Sequence, residues 1–150
     1  MGGKKIGEPA AFFAGVTVDT CAPDLDGEIR RLERKVQSGA HFAITEPVFS
    51  AENFEKFLER SKHCRIPIIA SIRPITTFRE AELLRNEIAG SSIPDALLSG
   101  IMNAGTPEGE IAEGMRFAGE ITKGIRGMVQ GLMVSGKTSE MAQLVELLEI

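Results

Sequence analysis

The chain has 150 residues, 43% hydrophobic and 25% charged, with 17 basic against 21 acidic side chains and a net charge of -4; its mean hydropathy is +0.01. These values describe one soluble globular domain, and the acidic balance argues against nucleic acid or an anionic membrane as main partner, since both demand a positive surface that displaces counterions. No apolar run approaches the roughly 18 to 20 residues that span a bilayer, and Met1-Gly2-Gly3-Lys4-Lys5 lacks the apolar core of a signal peptide, so a cytoplasmic location is expected.

Residues 1–10 read as an N-terminal tail, and 11–150 as one folded unit without low-complexity tracts or linkers. Ala11 to Val18 is short, apolar and partly β-branched, which predicts a strand buried on both faces. After Ala22-Pro23-Asp24, the apolar residues Leu25, Ile29, Leu32 and Val36 recur at helical spacing up to Gly39. Asp24 and Asp26 suit the turn and the helix cap. The unit then repeats: His41 to Thr45 reads as a strand, and Ser50 as the cap of a helix carrying Phe54, Phe57 and Leu58. Ile66 to Ile72 reads as a third strand, followed by Thr77 and Glu80 at the spacing of a capping box before a helix with Ala81, Leu84 and Ile88. The last third is mostly helical, with Pro94 and Pro107 each suited to a first helical turn. Met128 to Ser135 has strand character, and Met141, Leu144, Val145 and Leu148 fall on one face of a final helix.

Strands alternating with helices over short connections predict an α/β fold with a parallel sheet, because parallel neighbours need a crossover. Four (β/α) units are visible, whereas a closed eight-unit barrel takes about 250 residues. The expected architecture is therefore about half of a TIM (β/α)8 barrel.

Several residue patterns bear on chemistry. On the first helix, Glu28, Arg31, Arg34 and Lys35 form a polar, mainly basic stripe beside the apolar one. Such a stripe can meet an anion, phosphate above all, because guanidinium groups fork onto its oxygens and lysine adds a compact charge; the same spacing also suits a solvated face with intrahelical Glu–Arg pairs. Glu46 follows the second strand, at the end where a parallel barrel presents its chemistry, and reads either as a general acid or base or as a rim carboxylate without a ligand.

Gly131 to Thr138 satisfies the phosphate-loop pattern G-x-x-x-x-G-K-[ST] literally. Its context does not fit, because Leu132 to Val134 read as the strand itself and only twelve residues follow Thr138. Gly136-Lys137-Thr138 still suits an anion, since it joins the last strand to a helix at the barrel mouth. His41 and His63 lie on different elements without metal-site spacing, so no metal is expected, and Cys21 and Cys64 read as ordinary thiols.

Four segments together carry a family resemblance: Ala22 to Asp26, Glu28 to Val36, Gly39 to Phe49 and Ala81 to Glu87. From about Phe12 to the C-terminus the chain resembles the C-terminal half of methylenetetrahydrofolate reductase, especially the bacterial branch also found fused to a homocysteine methyltransferase domain. The resemblance implies a flavin-dependent barrel that passes a hydride from NAD(P)H through FAD to 5,10-methylenetetrahydrofolate, giving 5-methyltetrahydrofolate. In that family the positions matching Glu28, Arg31, Arg34 and Lys35 contact the ribose, pyrophosphate or adenine of FAD. Arg34 and Lys35 match in type, whereas Glu28 and Arg31 stand where some members have Asp and Asn. The family has Gln at Glu46, where its amide hydrogen-bonds the folate pterin; an ionised Glu46 accepts but does not donate.

The family's proton-donating acid and its flavin-side Arg-Gly-Asp-type loop lie in the N-terminal half, so no catalytic residue is assigned here. A half barrel leaves two strand edges and its interior uncovered, which predicts a complementary N-terminal half or a homo-oligomer as partner. Two functions follow. One is part or subunit of the reductase; the alternative is a non-catalytic half-barrel ligand-binding or assembly subunit.

Overall fold

A computed structural model describes residues 12–87 and 93–149; the expected tail 1–10, Ala11 and Ile88 lie outside the described residues. The first strand, β1, spans Gly15–Val18 and leads into helix α1, Leu25–Gln37. The Asp24 carboxylate accepts the Gly27 N–H at 2.8 Å and starts this helix. Gly39, at φ 98°, ends it in a left-handed conformation that side chains resist. Strand β2 (Phe42–Pro47) and helix α2 (Ala51–Ser61) follow, with the Ser50 hydroxyl accepting the Asn53 N–H at 3.2 Å.

Strand β3 spans Ile68–Ile72. Three helices follow, α3 (Phe78–Glu87), α4 (Asp95–Ala104) and α5 (Pro107–Ile125), before strand β4 (Gly131–Val134) and helix α6 (Met141–Glu149). Pro107 occupies the first turn of α5, whereas Pro94 stands one place before α4, as its cap residue. The Thr77–Glu80 box forms by half. The Thr77 hydroxyl accepts the Glu80 N–H at 3.2 Å, but the Glu80 carboxylate turns to Arg73 at 2.7 Å instead of back to the cap. An ionic partner outcompetes a backbone N–H, because both members of that hydrogen bond are charged.

The four strands form one parallel sheet in the order β1-β2-β3-β4. Each strand lies beside its predecessor, as expected of consecutive barrel strands, and four units are half the complement of a (β/α)8 barrel. Val16 and Val18 of β1, Ala43 of β2, Ile68, Ala70 and Ile72 of β3, and Leu132 and Val134 of β4 pack under the helices with Leu32, Phe54, Phe57 and Ile125. Phe54 and Phe57 are completely buried, and each such side chain stabilises the fold by about 1.5–3 kcal/mol.

The alternate residues of the strands fill the other face, which stays open: Gly15, Thr17 and Glu46 are exposed, Phe42, Ile44 and Ile69 half-buried, and Met133 is 39% exposed. The expectation that the first strand is buried on both faces is therefore corrected. Only Val18 of β1 is fully buried, and Phe12 and Phe13, read as part of that strand, lie outside it and exposed. A fully apolar strand needs cover on two sides, and the helices supply one.

Candidate functional site

The basic stripe of α1 lies against β1, one of the two edge strands of the sheet among the described residues. A groove of about 420 Å³ runs between them, with Arg31, Arg34 and Lys35 on one side and Ala14, Val16, Ser38, Gly39 and Ala40 completing its walls. The Lys35 ammonium donates to the Thr17 carbonyl at 2.6 Å, which pins that charge beside the strand. Arg34 makes no side-chain hydrogen bond or ion pair among the described residues, so its guanidinium donors remain for a ligand.

Glu28 sits apart from the groove. It is buried, accepts the Asp19 N–H at 3.2 Å and accepts from the Arg31 Nε at 2.7 Å. This carboxylate ties the loop after β1 to the helix and fixes Arg31 in place. Three of the four stripe residues thus converge on one groove, and the fourth orients one of them. Part of the stripe's placement also has a local cause: Arg34 and Lys35 lie in the last helical turn, where the helix dipole favours cations.

Glu46 lies at the carboxyl end of β2, exposed and without a side-chain partner among the described residues. The β2–β3 register shifts between Ile44 and Pro47, and the Thr45 hydroxyl accepts the Ser71 N–H at 2.9 Å across the irregularity. The bulge re-aims the chain at the strand end, and the carboxylate stands free on the open side.

A second concavity, of about 310 Å³, lies between the carboxyl ends of β3 and β4, lined by Arg73, Thr76, Glu80, Ser135, Lys137 and Glu140 among others. Sequence reasoning singled out Lys137 and missed Arg73, Thr76 and Glu140. The available signal for Arg73 was a charged residue directly after an apolar strand, at the end where barrels present their chemistry. The phosphate-loop match does not survive in three dimensions, because Gly131–Val134 is β4 itself.

His41 accepts the Ala14 N–H at 3.1 Å and packs 4.9 Å from the Phe13 ring. His63 pairs with Glu33 at 2.7 Å and lies 3.7 Å from the Cys64 sulfur. Sulfur and carboxylate both address the same nitrogen, Nε2, and burial pushes the Cys64 thiol up, with Glu33 adding to the rise. Both influences favour the protonated thiol over the thiolate. No helix among the described residues is long and apolar enough to cross a membrane.

The half-barrel class has a structural counterpart. An uncharacterized protein from Clostridium thermocellum, described as binding two copies of 5-methyl-5,6,7,8-tetrahydrofolic acid, superposes with a TM-score of 0.67 at 21% identity, over 89% of this chain and 51% of its own. The sequence profile of methylenetetrahydrofolate reductase matches residues 9–132, and the chain belongs to that family. Methylenetetrahydrofolate reductase 2 of Schizosaccharomyces pombe is 31% identical over 126 residues, 76% of this chain and 19% of that protein. A probable methylenetetrahydrofolate reductase (NADPH) of Caenorhabditis elegans is 33% identical over 79 residues, 51% of this chain and 12% of that protein. The chain thus spans less than one fifth of the length of these two relatives and about half that of the structural neighbour.

Proposed function

We propose that this chain is the C-terminal half-barrel part of a flavin-dependent methylenetetrahydrofolate reductase, reducing 5,10-methylenetetrahydrofolate to 5-methyltetrahydrofolate with NAD(P)H as the electron source. The observation that carries the reading is the convergence of Arg31, Arg34 and Lys35 on one groove beside β1, at the positions where the family holds FAD. The donor set fits the group. Two guanidinium groups and an ammonium match a diphosphate, and the small walls at Ala14, Gly39 and Ala40 leave room for it.

Arg34 and Lys35 hold the pyrophosphate, Arg31 supports it, and Glu28 positions Arg31. When bound, the flavin supplies the hydride relay between the nicotinamide and the folate. Glu46 faces the folate, and as a carboxylate it accepts from the donor N–H groups of the pterin edge. The free edge of β1, beside the groove, and the open sheet face with Phe42, Ile44, Ile69 and Met133 support completion by a complementary N-terminal half or a second copy. That partner region also supplies the proton-donating acid, and the reaction is placed in the cytoplasm.

The test is a fluorescence titration with FAD, made on the chain alone and with a complementary N-terminal half supplied. Saturable binding weakened by both Arg34→Ala and Lys35→Ala is expected; no flavin uptake in either arrangement overturns the reading. Glu46, a carboxylate where the family has an amide, favours a second reading, a folate-binding or assembly subunit without turnover. Folate binding by the completed barrel without NAD(P)H oxidation would establish that alternative.

A further inference from the structure

We infer that His41 is a positioning residue for the flavin groove: its neutral imidazole holds the Ala14 wall in place, and protonation of the ring releases that wall, so that flavin affinity falls as the solution turns acid. The inference rests on the flavin reading above and adds to it a residue outside the basic stripe and a dependence on pH.

His41 stands where the walls of the groove meet. Gly39 and Ala40 line the groove after the end of α1, and His41 is the next residue, leading into β2. Ala14, the residue before β1, lines the same groove. His41 grips Ala14 by both of its backbone groups. The His41 N–H donates to the Ala14 carbonyl at 2.8 Å, and the Ala14 N–H donates to the imidazole Nδ1 at 3.1 Å. On the helix side, the Ala40 N–H donates to the Lys35 carbonyl at 3.1 Å. One run of hydrogen bonds thus ties the helical turn that carries Lys35 to the edge of the sheet, and the side-chain link in it belongs to His41.

That link exists in one protonation state. A backbone N–H only donates, so Nδ1 is the accepting nitrogen and the ring proton sits on Nε2. A second proton on Nδ1 would set N–H against N–H, and turning the ring over would bring a carbon-bound hydrogen to the same place. The imidazolium therefore has no orientation that accepts the Ala14 N–H. An aromatic stack holds the neutral ring beside Ala14. Phe13 lies 4.9 Å from the imidazole and 5.3 Å from Phe42, and the Phe42 ring lies across Gly15, where a Cβ would collide with it.

The elements around His41 bring few charges. Across the groove α1 presents Arg31, Arg34 and Lys35; β1 and β3 carry no charged residue, β2 carries Glu46 near its far end, and the segment leading to β3 carries Lys62, His63 and Arg65. None of these pairs with the imidazole among the described residues, and His41 is exposed, so solvent protons reach it directly. Histidine is the side chain whose charge changes across the physiological range. The imidazole does not itself line the groove, so its added charge acts on a ligand only through screening solvent, whereas loss of the link acts on the wall.

The test is an FAD titration of the full chain, with the complementary half supplied, at about pH 8 and about pH 5.5. The unmodified protein should lose about fivefold in affinity in acid, the size of one net hydrogen bond. His41→Asn, whose side-chain carbonyl accepts from the Ala14 N–H at either pH, should stay level, and His41→Leu should be weak at both. Titrations elsewhere in the protein or the cofactor move the unmodified protein and His41→Asn alike and cancel in the comparison. A second readout needs no flavin: NMR of the ring nitrogens should find the Nε2–H tautomer at about pH 8, and the Ala14 amide should lose protection from hydrogen exchange in acid, but not in His41→Asn. Flavin uptake with equal pH profiles for the two proteins, a rise of affinity in acid, or an Nδ1–H tautomer would overturn the positioning role and leave the flavin reading standing. No uptake at either pH would overturn the flavin reading itself.

Discussion

Gly114 lies where helix α5 crosses the segment that follows β3, and replacing it with alanine tests whether that crossing sets both stability and the shape of the rim. A methyl group there would fall inside the van der Waals envelope of the Ile75 carbonyl oxygen and 2.8 Å from its carbonyl carbon, whereas real Cβ contacts essentially never come below 3.0 Å. The obstacle is backbone, so no side-chain rotation relieves it and helix and segment must separate. Overpacking of this kind costs about 1–3 kcal/mol, and a rigid backbone obstacle belongs at the upper end. Alanine returns about 1 kcal/mol through its better helix propensity, leaving a net loss of about 2 kcal/mol. For a chain of this size that lowers the melting temperature by about 4–8 °C. Gly124→Ala in the same helix is the control. Its methyl would stand 3.2 Å from the Ala51 Cβ, a contact that a small adjustment accommodates, so this variant should be neutral or stabilising by about 0.5 kcal/mol. Thermal melts of the two variants decide the matter; equal melting temperatures would refute the close-approach argument. The displaced segment also carries Thr76, which links Lys137 and Glu140, so Gly114→Ala should disturb the rim as well.

Glu28→Ala removes the acceptor of both the Asp19 N–H and the Arg31 guanidinium. Urea unfolding should show a loss of about 2 kcal/mol with FAD affinity reduced as Arg31 loses its anchor; unchanged stability would mean that the carboxylate does not hold the loop. Cys64 should alkylate more slowly than a free cysteine at mildly alkaline pH, since burial and Glu33 hold its thiol protonated, and a rate equal to that of the free amino acid would contradict this. The same raised value means that the thiol's contribution to stability is present below the ordinary thiol range and is lost as pH rises through the folded-state value.

How much of this was legible in the sequence depended on whether the controlling interaction was local. The stripe of Leu25, Ile29, Leu32 and Val36, the Asp24 and Ser50 caps and the stop at Gly39 are settled within one or two turns of chain, and each was readable. That the four strands run parallel followed from their alternation with helices. The double burial of β1 failed because Phe12, Phe13 and Thr17 stay exposed among the described residues, and apolar character does not say which surface will supply cover. The Thr77–Glu80 box failed by half because Arg73, outside the four-residue motif, takes the carboxylate. Glu28 was legible as part of a polar stripe, but its burial against the Asp19 backbone depends on how the loop after β1 folds back, which helical spacing does not encode.

The same distinction explains why the groove and the cleft between the ends of β3 and β4 differ in how they could be found. The groove cations share one helix at spacings of three and four residues, so they face one way whatever the fold, and a sequence pattern exposes them. The cleft cations come from residues 73 and 137, brought together only because β3 and β4 are neighbours across a crossover of three helices. Register then decides the cleft. Ile72 pairs with Val134, so the residues just beyond them, Arg73 on one side and Ser135 to Lys137 on the other, emerge at the same height. A one-residue slip would turn every side chain of β4 to the opposite face, and the core would resist it, because Leu132 and Val134 would exchange their packing under the helices for solvent. The hydrophobic core that holds β4 in register is therefore what sets Lys137 opposite Arg73, and a cleft with no sequence motif of its own is specified by the packing beneath it.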